Sequence, residues 1–159
     1  MKNKKLTHVD KAGNPTMVDI SGKGITKRMA RAQAIVYVGA EILSHLNQNE
    51  IITKKGPVFQ TAILAGIMAA KKTGELIPLC HPLGLDNCSI DITTSKDSIL
   101  ITSTANLMAK TGVEMEALMA ASIAALTIYD MCKALSHDIV IGEIKLLEKT
   151  GGKTDFKRK

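Results

Sequence analysis

Lys110–Leu135 reads KTGVEMEALMAASIAALTIYDMCKAL and holds the longest nearly uncharged run in the chain, Val113–Tyr129. Thr111-Gly112-Val113-Glu114 has the spacing of a capping box, in which a hydroxyl and a carboxylate three residues apart satisfy each other's backbone donors. It predicts a helix from Thr111 to about Leu135. No residue between Ala117 and Tyr129 is charged, so most of the circumference is expected to be buried. With Glu114 and Glu116 at its start, the apolar run is read as too short and too polar to span a membrane.

Before this helix, Asn87–Thr94 and Ser98–Asn106 both alternate polar and apolar residues around Ser95-Lys96-Asp97, which predicts a hairpin. Pro78 and Pro82 exclude regular helix from the segment before it. Lys54-Lys55-Gly56-Pro57 predicts a second helix start, with Pro57 at the first helical position. Phe59, Ala62, Gly66 and Ala69 follow at helical spacing, and Lys71, Lys72 and Gly74 form the stop. From Arg28 to Val38 the residues Ala30, Ala32, Ala34, Val36 and Val38 share one face of a strand. A short helix is expected over Ala40–Gln48, closed by Asn47-Gln48-Asn49, and a last strand over Ile139–Glu148. The order gives β-α-β twice, an α+β ferredoxin-like sandwich whose antiparallel sheet has helices packed on one face. The other face needs cover, which a second copy would supply. The chain divides into a polar N-terminal segment, 1–27, a single α+β domain, 28–150, and a basic C-terminal tail, 151–159.

The 159 residues are 45% hydrophobic and 23% charged, ordinary for one globular domain. Aromatics are only 3%, too few for a platform that stacks single-stranded nucleic acid. The net charge of +6 sits at the ends. Residues 1–28 hold seven Lys or Arg against two Asp, and residues 149–159 hold five against one. Such ends are solvated tails, nucleic-acid arms, or cations that hold a polyanionic ligand. Cys80, Cys88 and Cys132 show no CxxC spacing, which disfavours a disulfide framework and a zinc ribbon. The opening MKNKKLTHVDKAG has no apolar core of a secretory signal, so the cytoplasm is the expected compartment.

Asp130 and Lys133 stand at the end of the long helix. As an exposed i,i+3 pair they would do little. An Asp there opposes the helix dipole, however, and a carboxylate beside a lysine at the rim of a buried helix is a candidate acid/base pair. Glu114 and Glu116 suit a helix N-terminus without further role. Pro78-Leu79-Cys80-His81-Pro82 is rigid and aims His81, either as a surface side chain or as an acid/base group. Cys80 reads as a small buried hydrophobe. Lys54 and Lys55 precede a helix N-terminus, which repels cations and attracts anions, so they suit an anionic ligand. Neither GxxxxGK[ST] nor GxGxxG occurs. Physics alone reaches an enzyme acting on a small anion, or a non-enzymatic nucleotide- or RNA-binding module.

Several of these segments together resemble a known family. Leu6-Thr7-His8-Val9-Asp10, Met17-Val18-Asp19-Ile20-Ser21, Ile77-Pro78-Leu79-Cys80-His81-Pro82, Lys110–Leu118, Leu126–Ala134 and Lys149-Thr150-Gly151-Gly152-Lys153 look like the cyclic pyranopterin monophosphate synthases, the molybdenum cofactor biosynthesis protein C family. The likeness spans residues 6–156. One departure is Ala109, where the family usually has Gly; if that position needs φ > 0, Ala would strain the turn.

The resemblance implies a lyase of molybdenum cofactor biosynthesis. It would convert 3′,8-cyclo-7,8-dihydro-GTP to cyclic pyranopterin monophosphate with release of pyrophosphate. It implies Asp130, Lys133 and Lys55 as catalytic residues. It implies Leu79, Cys80, His81, Met115, Glu116, Glu114, Arg28 and Lys71 as substrate-binding residues. No organic cofactor or protein-bound metal is implied; Mg²⁺ could assist pyrophosphate departure, but no carboxylate cluster demands it. The implied assembly is a hexamer, a trimer of dimers with shared sites, and no nucleic-acid or membrane partner. For the acid/base work, Lys55 and Lys133 are expected to have pKa values lowered by neighbouring cations, with Asp130 positioning Lys133.

Overall fold

The computed structural model describes residues 8–10 and 12–159. Its main elements are β1 (Thr26–Tyr37), α1 (Gly39–Leu43), β2 (Leu46–Asn47), β3 (Glu50–Thr53), β4 (Gly56–Pro57), α2 (Val58–Lys71), α3 (Thr73–Leu76), β5 (Asn87–Thr94), β6 (Ser98–Ala109), α4 (Glu114–Cys132), β7 (Val140–Thr150) and β8 (Phe156–Lys157). One sheet has the order β5-β6-β1-β7-β8, every neighbouring pair antiparallel. α2 crosses from β1 to β5 and α4 from β6 to β7, which makes the interleaved β-α-β pair of a ferredoxin-like fold. The second, three-stranded sheet β2-β3-β4 is an insertion between β1 and α2.

The core is built from small residues. Ala30, Ala32, Ala34 and Val36 of β1 face Ala117, Ala120, Ala121, Ala124, Ala125 and Ile128 of α4, all fully buried. Alanine on both sides lets the helix lie close to the sheet, so a chain with few aromatics still packs densely. Ser103 fits the same layer because its hydroxyl donates to the Ala117 carbonyl at 2.6 Å. α2 meets α4 at Gly66, where an added Cβ would lie 2.7 Å from the Ala120 carbonyl oxygen. By length and hydropathy α4 could cross a membrane. The expectation that it is too short is therefore corrected: its 19 residues suffice, but half of its apolar window is buried inside the fold. The outer face of the sheet carries Arg31, Gln33, Ile35, Leu100, Thr102 and Thr104, all at least partly exposed.

Several boundaries differ from expectation. The capping box does not form: Val113 is the N-cap, without a side-chain bond, and Glu114 turns away. The expected helix over Ala40–Gln48 stops at Leu43. The chain then turns back through Gln48 and Asn49, at φ 48° and 63°, to pair Leu46–Asn47 with Glu50–Ile51. Two positive φ values in a two-residue loop are the hairpin signature, and Asn tolerates that region. Pro57 is the extended N-cap of α2 and not its first helical residue. β6 runs on to Ala109, which pairs with Thr26 in ordinary extended backbone, so Ala costs nothing there. The basic tail is partly structured, since β8 adds an edge strand to β7.

Candidate functional site

The expected site residues fall into two groups at opposite ends of α4. The first group is at its C-terminal end. Asp130 is held between two ammonium groups: its Oδ2 accepts from Lys55 Nζ at 2.7 Å, and its Oδ1 from Lys133 Nζ at 2.9 Å. Lys55 Nζ also donates to the Asp130 carbonyl at 2.9 Å, one of the oxygens a helix end leaves without an internal partner. All three side chains are about half exposed. Lys55 sits with Lys54 in the tight turn between β3 and β4, where Ile52 pairs with Pro57 and Thr53 with Gly56. The segment is thus a tight turn ahead of the helix, and it is Lys55 that reaches Asp130.

These contacts set the charge states. The hydrogen bonds from Lys55 and then Lys133 lower the Asp130 pKa to about 2. Asp130 in turn raises the pKa of Lys133. The expectation of a lysine depressed by neighbouring cations is overturned for Lys133, because the nearest charge is a carboxylate bonded to it.

The second group surrounds the N-terminal end of α4. A cavity of about 550 Å³ is lined by Leu79, Cys80 and His81, by Glu114, Met115 and Glu116, and by His8, Val18, Ile20 and Lys23 of the N-terminal segment. His81 Nε2 lies 2.9 Å from the Val18 carbonyl. A carbonyl only accepts, so Nε2 carries the proton and Nδ1 is the acceptor of the neutral ring. Lys110 Nζ donates to the Ser21 carbonyl at 2.9 Å, a second tie that holds the N-terminal segment over the cavity. Leu6 and Thr7 lie outside the described residues.

Glu116 is only 3% exposed, and burial, with Glu114 nearby, raises its pKa. Glu114 is paired with Lys149 Nζ at 2.8 Å. A smaller cavity shares Gly112, Glu114 and Lys149 with the large one and adds Arg28 and Lys153. The Arg28 guanidinium donates to the carbonyls of Ala109 and Lys110, each at 3.3 Å, which fixes it at that wall. Lys71 lies in a third pocket that shares only Leu83 with the first. Among the described residues, no three His, Cys, Asp or Glu side chains converge where a metal would sit.

Within one chain the two groups do not meet. Glu114 and Asp130 are sixteen helical residues apart, about 24 Å at the α-helical rise. Lys23, Lys110 and Lys149 were not singled out as site residues from the sequence. Lys149 lies on β7, 35 residues from Glu114, so no local pattern joins them. The two Gly after Thr150 were the available signal, because a tight turn brings Gly152 against Arg28.

Residues 17–152 match the MoaC family. The cyclic pyranopterin monophosphate synthase of Xanthomonas oryzae pv. oryzae is 50% identical over 156 residues, covering 98% of this chain and 94% of that protein. The protein of the same name from Xanthomonas campestris pv. campestris is 51% identical over 153 residues, covering 96% and 93%. Molybdenum cofactor biosynthesis protein 1 of Dictyostelium discoideum is 49% identical, and there the match takes up 27% of a longer protein.

Proposed function

This chain belongs to the MoaC family, and from that premise we propose that it is a cyclic pyranopterin monophosphate synthase. It would take 3′,8-cyclo-7,8-dihydro-GTP to cyclic pyranopterin monophosphate and release pyrophosphate. The observation that carries the reading is a cavity that gathers Lys23, His81 and Lys149, with Arg28 and Lys153 beside it, at one end of a helix whose other end holds an ammonium–carboxylate–ammonium trio. The first suits a triphosphate. The second suits proton transfer.

The polar groups at the cavity divide the work of binding. Lys23, Lys149 and Arg28 offer charge-assisted donors to phosphate oxygens. Lys149 would leave Glu114 for the ligand, while Arg28 is already fixed by its two carbonyls. His81 presents Nδ1. Glu116 accepts from the N–H groups of the purine-derived ring, and its burial makes an unpaired position costly, which favours a ligand with donors there. Leu79, Cys80 and Met115 supply the apolar wall against the ring.

Closing the cyclic phosphate requires a substrate hydroxyl oxygen to attack the α-phosphorus. The bond to the β-phosphate oxygen breaks, the hydroxyl proton passes to a base, and pyrophosphate leaves with the electron pair. Arg28 and His81 neutralise the charge that grows on it. Ring rearrangement needs protons delivered to, and taken from, nitrogen and carbon. Asp130, ionised at any working pH, holds Lys55 and Lys133 in place and is itself too weak a base for that task. Lys133 starts protonated, so it acts first as a donor and serves as base once it has given up that proton. No organic cofactor enters, and any Mg²⁺ that helps pyrophosphate depart would arrive on the triphosphate.

A site about 24 Å long is not one site, so we assign the Asp130 group of one subunit to the cavity of another. Met119, Ile123 and Leu126 follow at helical spacing on the stripe of α4 that ends in Asp130 and Lys133. Leu64 and Met68 of α2 and Leu126 are 63%, 59% and 53% exposed, an apolar surface suited to a second copy. The assembly is a trimer of such dimers in the cytoplasm. The N-terminal segment acts as a wall of the site, joined to the catalytic domain of 28–150 by His81 and Lys110.

The test is to incubate the protein with the cyclised GTP and assay pyrophosphate and the fluorescent oxidised pterin. Stoichiometric release of both supports the reading. Bulk RNA binding with a steep salt dependence and no turnover would favour the binding module instead.

A further inference from the structure

Helix α2 begins immediately after Pro57, a residue with no side-chain cap to give. The cap comes from outside the local sequence. Glu50, at the start of β3, receives Phe59 N–H on Oε1 at 2.8 Å and Gln60 N–H on Oε2 at 3.1 Å. The same Oε1 also takes the Glu50 carboxylate's neighbour, Ile51 N–H, at 2.8 Å. One ionised side chain thus satisfies two of the four free donors of the helix, at the end where the dipole favours negative charge.

What lies between these two anchor points is the turn that carries Lys55. β3 leads into it and α2 leads out of it, and Glu50 ties the two together. Thr53 locks the turn from inside: its hydroxyl donates to the Gly56 carbonyl at 3.3 Å and accepts Lys55 N–H at 3.2 Å. The other partners, Asp130 and Lys133, are on α4, which is packed against α2 at Gly66. The geometry of the trio therefore depends on where the turn sits relative to the first turn of α2.

We propose that Glu50 is the positioning residue for Lys55: by clamping β3 to the N-terminus of α2, it holds the intervening turn where the Lys55 ammonium meets Asp130. It touches neither substrate nor the reacting atoms. Releasing it leaves the Lys55 backbone free to drift, and an ångström of drift is enough to lose a directed proton transfer. The cavity at the far end of α4 is untouched, so substrate affinity stays. This inference rests on the catalytic role proposed above for Lys55, but its primary test does not.

That test is spectroscopic. In the full-length protein carrying Glu50→Ala, and separately Glu50→Gln, the Asp130 carboxyl is titrated by ¹³C NMR. The hydrogen bond from Lys55 is the largest influence holding the Asp130 pKa at about 2. Loss of Lys55 from position raises that pKa in Glu50→Ala, toward the value found for Lys55→Ala. Glu50→Gln keeps one acceptor oxygen and the side-chain volume, so it folds and falls between. Turnover is the second readout: kcat falls roughly 10- to 100-fold with KM unchanged within about twofold. Adding Glu50→Ala to Lys55→Ala costs no further activity. An Asp130 pKa unmoved in both Glu50 variants overturns the proposal, whatever their melting temperatures. If the Asp130 pKa moves but Lys55→Ala remains fully active, the clamp stands and the catalytic reading of Lys55 fails.

Discussion

Gly66→Ala is the sharpest test of how Lys55 is held in register with Asp130. In an exposed helix this change stabilises by about 1 kcal/mol, from backbone entropy and propensity. Gly66 is not exposed. Its new Cβ would stand 2.3 Å from Ile90 Cδ1, 2.7 Å from the Ala120 carbonyl oxygen and 3.3 Å from Ala124 Cβ. The Ile90 methyl is the end of a flexible side chain and can rotate away. The Ala120 oxygen is backbone in the middle of α4 and moves only with the helix. Overpacking of this kind costs about 1–3 kcal/mol, and set against that gain the net loss is up to about 2 kcal/mol. At roughly 2–4 °C per kcal/mol for a domain of this size, the melting temperature falls by up to about 8 °C. Because α2 carries the Lys55 turn and α4 carries Asp130, separating the helices also lowers kcat. The assay is thermal unfolding at fixed protein concentration, together with steady-state turnover. A Gly66→Ala protein that melts higher than wild type and turns over normally would refute the close α2–α4 contact.

The other predictions concern charge. Asp130→Asn should abolish turnover with little change in melting temperature, because the carboxylate is about half exposed, and NMR should show the Lys133 pKa falling back toward an ordinary lysine. Retained activity would return Asp130 to a surface ion pair. Glu116→Gln should weaken substrate binding yet raise the melting temperature at pH 7. The folded pKa of Glu116 is raised, so its protonated form is favoured below the unfolded value and the buried charge costs stability once pH exceeds the folded value. The gain should vanish below pH 4, and a gain independent of pH would refute the argument. Lys55→Ala should remove turnover while Lys54→Ala leaves it, as measured by single-turnover pyrophosphate release; the reverse result would mean that the Lys55–Asp130 contact is not the working one.

The elements that set the fold were legible because their patterns are local and repeated. The alternation of Ala30, Ala32, Ala34 and Val36 and of Ile99 and Ile101 is the sheet's buried face, and the uncharged run after Ala117 is the core helix. The caps were not legible. Thr111 and Glu114 have capping-box spacing, but Glu114 finds a full charge in Lys149 at 2.8 Å. α2 is capped by Glu50, a residue eight positions before the helix begins, through contacts that exist only once β3 is laid beside it. The same limit applies to the site. Residue types at Asp130 and Lys133 point to a pair; Lys55 is named only through the family resemblance, and the tertiary fold brings it to them from 75 residues away. The short hairpin at Gln48–Asn49 has the sequence of a helix end, because Asn serves both purposes.

If each working site joins the Asp130 group of one subunit to the cavity of another, mixed assemblies regain activity that neither parent has. Asp130→Asn and His81→Ala proteins, each inactive alone, are unfolded together and refolded at equal ratio. With sites shared across a two-fold interface, mixed dimers contain one site with both groups intact, and activity returns to roughly a quarter of wild type. If every site were contained within a single chain, each subunit would still carry one of the two lesions, and the mixture would stay as inactive as its parts.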